Sequence, residues 1–437
     1  MTNSILMRVK SIFLSKNVKN AGWIVAEQVF QMLVSLVIGV LSARYLGPSN
    51  YGALNYTASF IAFFTSIATL GMEGVIIKKF ISNPEQEGLY LGSCIVFRLV
   101  SSFLSSIAIL LLVFILNIDD QVKLMLAALQ TLQLLFRAFA IFDSWFQRHL
   151  KSKYVSIAKM IAYVIVSAYK IFLLATSKSI RWFAFSNSFD YFLIAIALYV
   201  FYKREKGQPL RFSFKIGKEV LSESYHFIIS GIMVAVFGQM DKIMIGKMMT
   251  DADVGFYTTA AGICTMWIFV PQAIINSFRP TIMELKEKGQ EGLYKQRLEQ
   301  LYSVIIYLCL VVSAVIALLA PYIIRILFGE AYLGAIGPLV ILIWSEVFSM
   351  IGTARGIWIL SENKNKYVKY YLFWGAAANL ILNALLIPLC GINGAAFATL
   401  VTQIVTSLIA PMFYRETRIH TKIVMEAVLL KWYKKRR

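Results

Sequence analysis

Long apolar runs, broken at short intervals by charged residues, glycine, proline or Asn/Asp clusters, dominate this chain. Marking them gives twelve segments, at 21–46, 54–77, 89–116, 122–147, 154–176 and 181–202, then 220–247, 254–278, 300–328, 333–360, 367–388 and 392–414. Each is about as long as the roughly 20 residues a helix needs to cross a bilayer. The pattern predicts an all-α integral membrane protein of about 12 transmembrane helices.

Composition agrees: of 437 residues, 59% are hydrophobic and 15% charged, against about 25% charged in soluble domains. A soluble protein and a single-anchor enzyme are excluded. The first 20 residues are basic like a signal peptide, but the apolar run at 21–46 outlasts a signal's core and lacks an A-x-A site, so it reads as a retained helix.

The net charge of +20 comes from 43 Lys and Arg against 23 Asp and Glu. Sorted by connector, 31 of the basic residues fall on one side of the predicted spans, with both chain ends, and five (Arg44, Lys123, Lys178, Arg181 and Lys247) on the other. By the positive-inside rule both termini are cytoplasmic, and the surplus reports topology rather than a nucleic-acid partner.

The chain also repeats itself. Residues 145–155, WFQRHLKSKYV, align with 358–368, WILSENKNKYV, with identities at Trp145/Trp358, Lys151/Lys364, Lys153/Lys366, Tyr154/Tyr367 and Val155/Val368. Residues 44–52 align more loosely with 247–255, each following the first helix of its half. Six crossings separate the copies, so the halves share one orientation, a parallel repeat of the kind seen in secondary transporters. The expected organisation is an N-terminal six-helix lobe at 1–202, a basic cytoplasmic linker at 203–219, a C-terminal six-helix lobe at 220–414 and a basic amphipathic tail at 415–437.

No catalytic constellation is present. There is no P-loop, HExxH or G-x-S-x-G, the histidines (His149, His226 and His420) are scattered, and the cysteines (Cys94, Cys264, Cys309 and Cys390) lie in apolar runs without metal-ligand spacing. No metal and no cofactor are expected, and energy must come from an ion gradient, the substrate's own gradient or a partner subunit. An enzyme built from scattered polar residues that acts on a membrane lipid is the alternative from another class.

Ionisable residues inside spans carry the remaining information, because each costs about 2.5–3.5 kcal/mol at mid-bilayer and must face protein or water. Arg98 lies deep in the third span. Gln130, Gln133 and Arg137 form a stripe on the fourth at i, i+3, i+7, and Lys159 and Lys170 fall near one face of the fifth. With Arg355 these bases are the candidate cavity cations, suited to phosphate or acidic sugars. Lys159 lies shallow enough to snorkel instead. Gln130, Gln133 and the i, i+4 pair Asn379 and Asn383 are candidate polar lining, although amides also glue transmembrane helices together. Glu27, Asp190, Asp241 and Glu346 are the acids that could carry a proton or bind Na⁺, or could simply neutralise a base.

SARYLGPSNYG at 42–52 resembles the A-R-x-L-G-P-x-x-Y-G signature of polysaccharide repeat-unit flippases of the Wzx type, in the multidrug/oligosaccharidyl-lipid/polysaccharide exporter superfamily. MDKIMIG at 240–246 with VGFY at 254–257, the stretch 271–280, and 379–388 leading into GINGAAFAT at 391–399 are similar as well. The resemblance implies two six-helix bundles around a central cavity in the bacterial inner membrane. It also implies a substrate, an undecaprenyl-diphosphate-linked oligosaccharide flipped from the cytoplasmic to the periplasmic leaflet for O-antigen or capsule assembly. A polysaccharide polymerase and a chain-length regulator are then candidate partners. The rivals are a multidrug efflux antiporter, whose cationic substrates favour an acidic cavity, and a scaffolding component whose basic tail lies on anionic lipid or docks biosynthetic partners.

Overall fold

The computed structural model describes residues 16–118 and 120–430, and among these every regular element is helical. The predicted segments at 1–15 and 431–437, including Trp432 of the tail, lie outside the described residues. The first half holds α1 (Lys16–Ala68), α2 (Glu73–Ser82), α3 (Glu87–Leu116), α4 (Gln121–Arg137), α5 (Phe142–Arg148), α6 (Ser152–Ala175) and α7 (Ile180–Arg204). The second holds α8 (Phe214–Met248), α9 (Asp251–Thr265), α10 (Phe269–Glu287), α11 (Glu291–Leu327), α12 (Ile336–Ser361), α13 (Val368–Ile404) and α14 (Arg418–Val428).

Among the described residues, ten largely helical stretches are long and apolar enough to cross a membrane. Two of them, Gly22–Ser82 and Asn365–Phe413, run for 61 and 49 residues, about 90 and 75 Å at 1.5 Å per residue, far more than one ~30 Å crossing. Each is broken by a glycine outside the helical region: Gly47 at φ 71°, ψ 167°, and Gly391 at φ 61°, ψ −143°. A side chain at either φ is strained. With each long stretch folded into two crossings, the count returns to the predicted twelve.

The faces sort as a lipid-embedded bundle requires. On α3, Leu91, Cys94, Arg98, Ser102, Ser105 and Ile109 are buried, whereas Val100, Leu104, Ile107 and Leu111 are exposed. Apolar side chains on the outside cost nothing in lipid, so small residues rather than large ones mark the packed face.

The chain forms two compact units. One comprises 1–45 and 57–232, the other 46–56 and 233–437. The division therefore falls inside α8, not in the connector at 203–219 where the sequence places it, and the segment 46–56 groups with the second unit. The irregular part of that connector is short and pinned. Gln208 accepts from the Gly88 N–H at 3.0 Å and donates to the Pro84 carbonyl at 2.8 Å, and the Ser213 N–H donates to Ser93 Oγ at 2.9 Å.

In the first unit Phe80, Tyr90, Phe142, Trp145, Phe146 and Tyr202 centre the core; in the second Tyr302, Trp358 and Tyr371 do so among aliphatic residues. The aligned segments of the two halves fold alike. Leu150 and Asn363 both take left-handed φ, 53° and 54°. The next N–H, of Lys151 or Lys364, closes on the carbonyl of Phe146 or Ile359 at 2.8 Å in both. The lysine ammonium then lies over the tryptophan ring, 5.8 Å above Trp145 and 4.9 Å above Trp358.

The tail is docked rather than free. On α14, His420, Ile423, Val424 and Ala427 are buried in the second unit. His420 Nε2 lies 2.9 Å from Tyr302 Oη, and Ser303 Oγ donates to the Ala427 carbonyl at 2.8 Å. Within 415–430 the amphipathic face thus meets its own unit, leaving Leu429 exposed.

Candidate functional site

A carboxylate inside a membrane bundle has no bulk water, so the groups around it decide what it can do. Asp241, two turns before the end of α8, is 4% exposed. Its Oδ1 accepts from Asn379 Nδ2 at 2.8 Å and Asn383 Nδ2 at 2.6 Å, and its Oδ2 accepts from Tyr257 Oη and Thr399 Oγ1, both at 2.6 Å. Asn379 and Asn383 stand one turn apart on a single face of α13. Thr399 follows Asn379 by twenty residues, about 30 Å along a straight helix. The break at Gly391 folds it back onto the same carboxylate.

The side-chain Oδ1 atoms of Asn379 and Asn383 are buried without a hydrogen-bond partner. The cluster therefore gathers carboxylate, amide and hydroxyl oxygens in one dry place, the donor set of a hard cation. Rotation of either amide about its last torsion exchanges its N–H₂ for its oxygen. Of the sequence candidates, the structure brings Asp241, Asn379 and Asn383 together here and adds Tyr257 and Thr399, which the sequence reading missed.

The first unit holds a second polar cluster, arranged around Tyr163, which lies within electrostatic reach of Glu27, Asp190, Tyr191 and Arg137. Arg137 donates to Thr65 Oγ1 at 3.1 Å, and its guanidinium sits 4.6 Å over the Tyr191 ring. Lys159 is 3.5 Å from Asp143 and 4.0 Å from Glu27. Lys170 and Asp190 act on each other's charge, and Asp190 keeps one buried oxygen without a hydrogen bond. Gln130 and Gln133 are buried among helices, Gln133 Nε2 donating to the Gln130 carbonyl at 2.9 Å.

Two of the expected cavity cations are placed differently. Arg98 is fully buried; its Nη2 lies 3.5 Å from the Glu73 carboxylate and 3.3 Å from the Arg137 carbonyl. That carbonyl stands where α4 gives way to the 3₁₀ turn Ala138–Ile141, a break inside the predicted span 122–147. Arg355, 8% exposed, donates to the carbonyls of Thr406 at 2.5 Å and Ser407 at 3.3 Å and stacks 4.5 Å over Tyr371. Those carbonyls belong to the π-helical turn Val405–Ile409. Each arginine serves backbone oxygens at a helix irregularity, where the regular ladder is interrupted. Arg98 keeps Nε and Nη1, and Arg355 keeps Nε, buried without a hydrogen-bond partner.

Glu346 on α12 is buried, with one carboxylate oxygen unpartnered and Cys264 and Cys309 within its electrostatic reach. Arg279, counted with a connector on sequence, lies well inside α10 and is exposed. The signal for it was the polar series Gln272, Asn276, Arg279 at i, i+4, i+7.

The fold is shared with solved membrane transporters. It superposes on the lipid II flippase MurJ in an inward closed conformation with a TM-score of 0.74, over 93% of this chain and 91% of that one at 14% identity. It also superposes on an inward-facing multidrug resistance transporter of the MATE family at 0.67, over 91% and 96% at 13% identity. A family model described as polysaccharide biosynthesis protein matches residues 17–286, and the chain belongs to that family. A probable low-salt glycan biosynthesis flippase, Agl15 of Haloferax volcanii, is 26% identical over 201 residues, 45% of this chain and 42% of that protein. The lipid II flippase MurJ of Bacillus subtilis is 24% identical over 237 residues, 49% and 43% respectively. The chain thus matches under half the length of these curated relatives.

Proposed function

We propose that the protein flips a lipid-linked oligosaccharide, in its specific form an undecaprenyl-diphosphate-linked repeat unit, from the cytoplasmic to the outer leaflet for O-antigen or capsule assembly. The observation that carries this reading is the set of bases on membrane-length helices of the first unit, Arg137 stacked on Tyr191, Lys159 beside Asp143 and Glu27, and Lys170 paired with Asp190. An isolated charge costs tens of kcal/mol in a low-dielectric medium, so a diphosphate needs such a path. Partly exposed Arg137, Lys159 and Lys170 supply fixed positive charge while the polyprenyl tail stays in lipid. Relatives whose names include a glycan biosynthesis flippase and a lipid II flippase support the same substrate class.

Coupling falls to Asp241 in this proposal. Asp241, Asn379, Asn383 and Thr399 fit a sodium ion, because turning either amide brings a buried, unpartnered oxygen to the carboxylate that its nitrogen now faces. Sodium would supply fixed positive charge there when bound. The chain's own part is to set the spacing of α8 against the two arms of α13, so that occupancy and helix arrangement depend on each other. Asp190, Glu27 and Glu346 are the candidates if protons drive the cycle instead.

The test is transport of a fluorescent polyprenyl-diphosphate oligosaccharide in proteoliposomes. Arg137→Gln is expected to cut the rate by about tenfold or more, the scale of one lost charge contact to a phosphate. A rate equal to the native one removes Arg137 from the path.

A further inference from the structure

In the first unit, α4 and α7 begin at the same end and pack side by side. Between them lies a cavity of about 380 Å³ lined by Met125, Leu129, Ser179, Arg181, Trp182 and Phe185. Met125 and Leu129 lie about 6 and 12 Å along α4 from its first residue, and Phe185 about 7 Å along α7, so the floor of the cavity reaches hydrocarbon depth. Its rim is different in kind. Arg181 and Trp182 occupy the first turn of α7, Trp182 half exposed, and among the described residues Arg181 has no carboxylate within ion-pair distance.

A guanidinium and an indole at the head of an apolar groove are the pair that settles at a headgroup layer, the one on phosphate and the other on the carbonyl region. A soluble metabolite would leave the floor unfilled, and a neutral lipid would leave the guanidinium unpaired. We propose that this groove binds an anionic phospholipid of the leaflet at that end, its phosphate on Arg181 and the upper part of one acyl chain over Met125, Leu129 and Phe185. None of its lining residues belongs to the Tyr163 cluster, and the site serves lipid recognition rather than transport.

The full-length chain is reconstituted in vesicles of phosphatidylcholine carrying either brominated phosphatidylglycerol or brominated phosphatidylcholine. The Trp182 signal is taken as the difference between the native protein and Trp182→Phe. Brominated phosphatidylglycerol is expected to quench Trp182 at about fivefold lower mole fraction, the effect of one basic residue at an anionic surface, and Arg181→Gln is expected to bring the two lipids level. Arg181→Lys, which keeps the charge, should retain most of the preference. Equal quenching in the native chain overturns the proposal, as does a preference that survives in Arg181→Gln. Loss of quenching on adding one polyprenyl phosphate per protein also overturns it, by giving the groove to the polyprenyl chain.

Discussion

Asn383 Nδ2 lies 2.6 Å from Asp241 Oδ1, and the carbonyl oxygen of the same amide has no partner. The contact joins α13 to α8 through a group that can present either end to the carboxylate. If this is the coupling site, Asp241→Asn keeps the shape and removes the charge, so sodium-stimulated transport should fall about tenfold or more while the protein still reaches the membrane. Rates in proteoliposomes with and without an imposed sodium gradient check this. A native chain indifferent to sodium would remove the assignment, and a pH-gradient response lost in Asp190→Asn would move coupling to the first unit.

Arg355 should prove structural. Its Nη1 reaches two carbonyls of the π turn while its planar face covers Tyr371, a combination that lysine cannot copy. Arg355→Lys is expected to destabilise the second unit by about 3 kcal/mol, two charge-assisted bonds being exchanged for one poorer contact. Thermal unfolding in detergent measures it.

His420 gives the tail a pH dependence. The imidazole is buried beside Tyr302 and Trp358, and burial, with Arg355 adding to it, holds its pKa well below the ordinary 6.5. The unfolded chain then binds the extra proton first as pH falls. Stability is fully present above about pH 6.5 and declines below it, by up to about 2 kcal/mol between pH 7 and pH 5. His420→Gln should flatten that part of the profile. Deletion after Arg415 strips the cover from Tyr302 and Ser303 and should lower the melting temperature outright.

Backbone contact sets the tolerance of two glycines. A Cβ on Gly52 would stand 1.6 Å from the Asp251 carbonyl oxygen, and one on Gly255 would stand 2.2 Å from that of Pro48. Neither obstacle is a side chain that can turn away. Gly52→Ala should cost about 3 kcal/mol or more, whereas Gly39→Ala, with nothing within 4 Å, should be neutral or slightly stabilising. Melting of the two variants side by side decides.

The helices were legible because an apolar run of membrane length has few other fates, and Gly47-Pro48 marked the first break. Asp241, Asn379 and Asn383 stood out singly, as polar groups in costly places. Their meeting with Tyr257 and Thr399 did not, since it depends on the fold at Gly391. Arg98 and Arg355 were read as solute ligands because a deep arginine announces only that it has a partner. Here the partners are the Glu73 carboxylate and backbone oxygens at a 3₁₀ turn and a π turn, irregularities that residue spacing does not encode. The boundary between units was set at the basic connector on charge, yet Gln208 and Ser213 tie that segment to the first unit.

The central claim is that lipid-linked repeat units reach the outer leaflet through this protein. The direct measurement is the leaflet distribution of polyprenyl-linked oligosaccharide in cells with and without it. Accumulation on the cytoplasmic face in its absence, relieved by the native chain and not by Arg137→Gln, is the predicted result. Equal outer-leaflet labelling in both cell types would contradict it.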